Sequence, residues 1–175
     1  MKTSELGKQF IKSFEKCRLV AYDDGVGVWT IGWGHTKGVK KGMACTQENA
    51  DAWFAEELDV FERSVTNSVK VPVTTRQNDA LVSFAYNVGA AALRSSTLMR
   101  LINEGNYVAA SNRFEDWNKG NVNGQLIVLD GLTKRRRAEA KIFRVGIYDM
   151  HDGPSIDGNQ IPDFGDVQSG SSTTA

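Results

Sequence analysis

A glutamate, an aspartate and a threonine follow one another near the start of this chain, in the run Glu15-Lys-Cys-Arg-Leu-Val-Ala-Tyr-Asp-Asp24-Gly-Val-Gly-Val-Trp-Thr30-Ile-Gly-Trp-Gly-His35. Two carboxyl groups can divide acid–base work. One, protonated, hands a proton to a leaving oxygen; the other, ionised, activates water or stabilises an oxocarbenium-like transition state, and cleavage of a glycosidic bond normally needs both. Glu15 and Asp24 are the candidates for those roles. Glu15 falls at the carboxyl end of an expected helix, where unpaired carbonyls disfavour ionisation, as suits an acid. Asp24 stands in a glycine-rich turn beside Asp23, where solvent and backbone amides can hold it ionised. The Thr30 hydroxyl both donates and accepts, as a group positioning a water must. Such a spacing also arises by chance, and helix-end and turn carboxylates without chemistry are the competing reading.

The elements around these residues follow from apolar periodicity and capping residues. Leu6, Phe10, Ile11 and Phe14 share one helical face, so residues 3–14 read as a short amphipathic helix. Residues 20–34 are rich in β-branched and aromatic side chains broken by Gly25, Gly27, Gly32 and Gly34, the texture of short strands with tight turns. Thr46 can cap a helix over 46–65 with Trp53, Leu58, Phe61 and Val65 on its buried stripe. Thr74 and Gln77 form a capping-box pattern ahead of Ala80, Leu81, Phe84 and Ala85, with Gly89 as the stop. Shorter helices are expected over 96–103 and 107–117, a loop over 118–130, and a last helix capped by Asp130 that runs to about Arg144. The fold class is α+β: a small antiparallel β lobe followed by a helical bundle.

A chain of 175 residues, 41% of them hydrophobic, has room for one domain with a proper core. That domain is expected to span residues 1–146, leaving 147–175 as an acidic, Gly/Ser-rich extension with little to order it. The charges are balanced in number, 21 Lys and Arg against 21 Asp and Glu, but no Lys or Arg follows Arg144. A mildly basic body therefore precedes an acidic tail. Cys17 and Cys45 are too few for a disulfide framework and read as buried free thiols. With His35 and His151 the only histidines, no metal site is expected. Lys2, Glu5, Lys8 and Lys12 interrupt the amino terminus before an apolar run develops, so neither an export signal nor a membrane anchor is expected there. Lys134-Arg-Arg-Arg137 stands without any accompanying nucleic-acid motif, and no nucleic-acid partner is expected.

Glu15, Asp24 and Thr30, followed at once by Ile31, Gly32, Gly34 and His35, resemble the signature of the phage lysozyme family of endolysin muramidases. The likeness extends to Gln77-Asn-Asp-Ala-Leu-Val-Ser-Phe-Ala-Tyr-Asn-Val-Gly89, to residues 98–117, and to Gly131-Leu-Thr-Lys-Arg-Arg-Arg-Ala-Glu139. It implies a lysozyme-like fold with a cleft between a β lobe and a mainly helical lobe. It also implies hydrolysis of the β-1,4 bond between N-acetylmuramic acid and N-acetylglucosamine in bacterial peptidoglycan, without a cofactor. Glu15 would be the general acid, Asp24 the second carboxylate and Thr30 the holder of the attacking water. An arginine of the last helix would pair with Glu15: Arg135 is the choice, with Arg136 and Arg137 in competition. His35 resembles a structural histidine bridging the lobes. Tyr86 and Asn87 would line the cleft from the helical side and Thr36 from the sheet side, with Trp117 near its end or in the core. A monomer is expected, held in the host cytoplasm until a holin opens the inner membrane, with a tail-associated enzyme as the biological alternative.

Two other mechanisms compete. A lytic transglycosylase uses one carboxyl and the substrate's own hydroxyl, but the joint presence of Asp24 and Thr30 favours water. A non-catalytic glycan-binding module would usually lack one of the three residues.

Overall fold

The computed structural model of the chain describes residues 1–23 and 27–159; of the extension expected over 147–175, residues 160–175 lie outside them. Helix α1 (Glu5–Phe14) begins at Ser4, whose hydroxyl accepts from the Gly7 N–H, and buries Phe10 and Ile11. The chain turns extended at Glu15 and enters β1 (Arg18–Asp23), antiparallel to β2 (Trp29–Gly32) with Tyr22 opposite Thr30. Along the other edge of β1, the Ala21 N–H donates to Met43 O at 2.8 Å and the Cys45 N–H to Leu19 O at 2.9 Å. These pieces make the β lobe.

Helix α2 (Gln47–Ser68) joins the lobes. Its 22 residues span roughly 33 Å at 1.5 Å per residue, long enough to pack on β2 at one end and on the helical lobe at the other. The approach to β2 is close. A Cβ on Gly32, whose φ is +62°, would lie 3.1 Å from Ala50 Cβ, so glycine answers both the backbone conformation and the contact. Both α2 and α3 (Thr75–Val88) start with complete capping boxes, Thr46 with Asn49 and Thr74 with Gln77. The α3 segment Ala80-Leu-Val-Ser-Phe-Ala85 is buried on every side, which makes it the central helix of the lobe. Around it lie α4 (Ala90–Ser95), α5 (Thr97–Asn103), α6 (Tyr107–Ser111), a 3₁₀ turn (Phe114–Trp117) and α7 (Asp130–Val145), which packs along α3.

Four stretches differ from the sequence expectation. Within the loop expected over 118–130, residues 119–128 form a hairpin, β3 (Lys119–Val122) with β4 (Gln125–Val128), turning at Asn123 and Gly124 with φ +52° and +83°. Both central residues are left-handed, the demand of a tight hairpin turn that Asn-Gly meets. Helix α4 was not expected; Gly89 ends α3 and opens α4 in the same step. The helix expected over 107–117 breaks after Ser111, and its second half tightens into the 3₁₀ turn. Asp130 is the first residue of α7, whose N-cap is Leu129, without a side-chain cap.

Beyond Gly146, left-handed at φ +73°, β5 (Ile147–Asp149) pairs with β6 (Ser155–Asp157). Tyr148 is buried from this hairpin against Phe10, and its hydroxyl donates to Asp79 Oδ2 at 2.8 Å. Asp79 also accepts from the Ser4 N–H and hydroxyl at 2.9 and 2.5 Å, so one buried carboxylate joins the N-cap of α1, the centre of α3 and β5. The cysteines are free but half-buried, not buried as expected. Among the described residues no helix is long and apolar enough to cross a membrane, and no cluster of His, Cys, Asp and Glu suits a metal.

Candidate active site

Glu15 is the residue at which α1 stops: its φ and ψ are −101° and 130°, and its N–H closes the helix on Lys12 O at 3.2 Å. Its side chain is 23% exposed and its Oε1 accepts from Arg135 Nη1 at 2.7 Å. Arg135 itself is 4% exposed. It reaches Glu15 from α7 with its guanidinium over the Phe14 ring at 5.4 Å, its Nε 3.3 Å from Glu139 Oε1 and its Nη2 3.4 Å from Ser83 O. Of the three consecutive arginines, the neighbours turn elsewhere. Arg136 is fully buried over the Phe84 ring and against Glu139, where burial pushes its guanidinium down and the Glu139 charge opposes that. Arg137 is exposed and pairs with Glu115 at 3.0 Å. A helical step of about 100° per residue separates these three directions.

Thr30 is buried in β2, and its hydroxyl donates to Val28 O at 3.3 Å. Asp24 lies outside the described residues.

His35 ties the β lobe to α2. Its Nδ1 is 2.6 Å from Glu57 Oε1, its Nε2 is 2.9 Å from Lys37 O, and its ring stacks on Trp53 at 4.7 Å. A second tie runs beside it: Trp33 Nε1 donates to Asp51 Oδ1 at 2.8 Å, and Lys12 Nζ meets the same oxygen at 2.6 Å while lying 4.9 Å from the Trp33 and Phe54 ring centroids. α1, the residue that follows β2, and α2 are thereby joined. The Lys12 ammonium is the first cause holding the Asp51 carboxyl below its ordinary range, with Trp33 and Gln47 adding to it.

Thr36 and Tyr86 come together in one hollow of about 320 Å³, lined also by Gly34, Glu57, Val60 and Phe61. The Tyr86 hydroxyl donates to Trp33 O at 3.0 Å. Burial pushes the Tyr86 phenol up, and the negative charges of Glu57 and Glu15 push it further, so it stays a neutral donor. Asn87 is exposed in the last turn of α3. Trp117 is half-buried and meets Phe84 edge-on at 5.6 Å, a core contact.

Sequence reasoning did not single out Glu57, Asp51, Lys12, Ser83 or Glu139. For Glu139 a signal existed, because a carboxylate four residues after Arg135 and three after Arg136 faces both on a helix. The partners of Glu57 and Asp51 come from other elements, and no local pattern announces them.

The chain matches the model of the phage lysozyme family over residues 12–139. It is 41% identical over 143 residues to an endolysin of Acyrthosiphon pisum secondary endosymbiont phage 1, covering 82% of this chain and 98% of that protein. Its fold is similar to that of an endolysin from the Escherichia coli O157:H7 phage FAHEc1, with a TM-score of 0.81, 38% identity, and 85% and 97% of the two chains covered. It is likewise similar to the muramidase domain of SpmX from Asticaccaulis excentricus, with a TM-score of 0.77, 39% identity, and 82% and 97% covered. Two lobes joined by α2, an arginine of α7 reaching the carboxyl that ends α1, and a family match that spans both place this chain in the phage lysozyme family.

Proposed function

We propose that this chain is an endolysin that hydrolyses the β-1,4 bond between N-acetylmuramic acid and N-acetylglucosamine of peptidoglycan, with Glu15 as general acid, Asp24 as the second carboxylate and Thr30 as the holder of the attacking water. The observation that carries the reading is the Glu15 carboxyl at the end of α1, 2.7 Å from a buried guanidinium, in a stretch that keeps the family spacing through His35. In the reaction Glu15 gives its proton to the leaving glycosidic oxygen as the C–O bond breaks, water adds to the anomeric carbon, and the water's spare proton restores an acid. Asp24 stabilises the positive charge that develops on the sugar or draws a proton from the water. Arg135 holds the acid in place. Thr36 and Tyr86 border the glycan from opposite lobes, Asn87 and Trp117 extend that border, and His35 keeps the β lobe seated on α2. The relatives' names, endolysin and muramidase domain, agree with this chemistry.

The enzyme acts as a monomer on the bacterial wall, and we assign its access to lesions made by a holin from the cytoplasmic side. Mass spectrometry of digested peptidoglycan tests the bond and the nucleophile together. Muropeptides ending in ordinary reducing N-acetylmuramic acid are expected, and anhydro ends would replace water by the substrate's own hydroxyl. Induction of the chain with and without a holin tests access: lysis only with the holin is expected, and equal lysis without it contradicts that route.

A further inference from the structure

Behind Arg135 lies a buried group of polar side chains that the reaction as described leaves unused. Glu139, one turn further along α7, is wholly excluded from solvent. Its Oε1 accepts from the Ser83 hydroxyl at 2.7 Å, from Arg136 Nη2 at 2.9 Å and from Arg135 Nε at 3.3 Å, and its Oε2 lies 2.8 Å from Arg136 Nε. Ser83, also buried, serves both sides, since its hydroxyl anchors Glu139 and its carbonyl receives Arg135 Nη2 at 3.4 Å.

We propose that Glu139, held by Ser83, is a positioning residue for catalysis: it orients the Arg135 guanidinium so that Nη1 faces Glu15, and it cancels one of the two buried positive charges beside the acid. The inference rests on the reading of Glu15 as the general acid.

The geometry argues for orientation. A guanidinium is a rigid planar fork, so fixing its Nε and Nη2 edge leaves Nη1 with one direction, and that direction is Glu15. Charge argues for the second role. Arg135 and Arg136 bring two positive charges to one turn of α7, and an unpaired buried charge is costly, so a carboxylate among them is required. With Glu139 ionised the three groups carry one net positive charge, which an ionised Glu15 would neutralise and a protonated Glu15 would not. Without it they carry two, and the ionised form of Glu15 gains at the expense of the acid. The other titratable groups on the packed elements have partners of their own: Asp79 of α3 accepts from Ser4 and Tyr148, and His151, edge-on to Phe14, pairs with Asp152. Tyr86 of α3 stays neutral and bonds Trp33 O, Glu115 of the 3₁₀ turn pairs with Arg137, and Asp149 of β5 pairs with Lys141.

The test compares Glu139→Gln, Glu139→Asp and Ser83→Ala with wild type, using the pH dependence of kcat and of KM on soluble glycan oligomers, and thermal melting. Glu139→Gln should lower kcat about tenfold near neutral pH with KM changed less than about twofold, and should move the alkaline limb of the kcat profile to lower pH. Glu139→Asp should restore the position of that limb in part. Ser83→Ala removes the anchor without changing charge and should lower kcat about threefold while leaving the limb in place. Glu115→Gln, which touches only exposed Arg137, should match wild type. If Glu139→Gln does not fold, Ser83→Ala carries the decision by its kcat. Altered melting with kcat and profile unchanged in the folded variants would reduce Glu139 to a packing residue and overturn the proposal. An active Glu15→Gln enzyme would instead remove the acid reading and the proposal together, whereas an inactive one with unchanged Glu139→Gln and Ser83→Ala profiles defeats the proposal alone.

Discussion

Arg135 shares its donors among Glu15, Glu139 and Ser83 O, and this division sets what can replace it. A lysine ends in one compact ammonium and cannot hold two carboxylates in a fixed plane. Arg135→Lys is therefore expected to lower kcat about tenfold by loosening Glu15, with a loss of roughly 1–3 kcal/mol in folding stability from the weakened buried pair. Steady-state kinetics beside a denaturant titration separate the two effects, and a variant as active as wild type would contradict the role given to the guanidinium. His35 invites a different expectation. Its bonds to Glu57 and Lys37 O and its stacking on Trp53 belong to the seating of the β lobe, so His35→Ala should lower the melting temperature at unchanged Glu15 chemistry. A loss of kcat in that variant with no change in melting would move His35 into the reaction.

At the scale of elements, the approach of β2 to α2 holds the β lobe close to the helical lobe. Gly32→Ala would put a Cβ 3.1 Å from that of Ala50 at a left-handed backbone position, and a cost of about 1–3 kcal/mol is expected by chemical denaturation. A neutral outcome would mean that β2 slides freely on α2. The long helices are readable from sequence because each carries its own signal: the apolar face of α1, the cap at Thr46, the box at Thr74, Gly146 after α7. The β3–β4 hairpin was not read, because Leu126, Ile127 and Val128 are consecutive, exposed and without alternation, so that only Asn123-Gly124 spoke for a turn. The β5–β6 hairpin escaped for another reason. Strands of three residues are too short to show a period, and the burial of Tyr148 depends on Asp79, which is 69 residues away. The site divides in the same way. Glu15 and Arg135 were legible from spacing and resemblance, whereas Glu57, Asp51 and Ser83 act across elements and leave no local trace.

The whole molecule couples these contacts to pH. Glu62 and Asp149 are pushed up by burial, but donation from Thr3 and Lys2 to the first, and from Lys141 and Ser155 to the second, outweighs it and holds both low. Lys2 lowers Asp59 as Lys12 lowers Asp51. A depressed folded-state value adds stability that is present above the unfolded value, near pH 4, and is lost as pH falls through the folded values. Asp79 has the opposite sign. Burial pushes its carboxyl up against the donation from Ser4 and Tyr148, so its contribution is full below about pH 4 and declines as pH rises through the folded value. The melting temperature should therefore fall steeply on acidification below about pH 4. The gap between wild type and Asp79→Asn should be wider at about pH 4 than at about pH 7, and a gap that is constant or widens with pH would reverse the direction assigned to Asp79.

The proposed chemistry turns on one carboxyl, that of Glu15 at the end of α1. The direct measurement is the rate at which Glu15→Gln clears permeabilised bacterial cells, taken with its binding to purified peptidoglycan. Since the amide keeps the shape but has no proton to give, clearing should fall by about a thousandfold or more while binding stays within a few-fold of wild type. A Glu15→Gln enzyme that binds and clears at the wild-type rate would contradict the assignment of Glu15 as the acid.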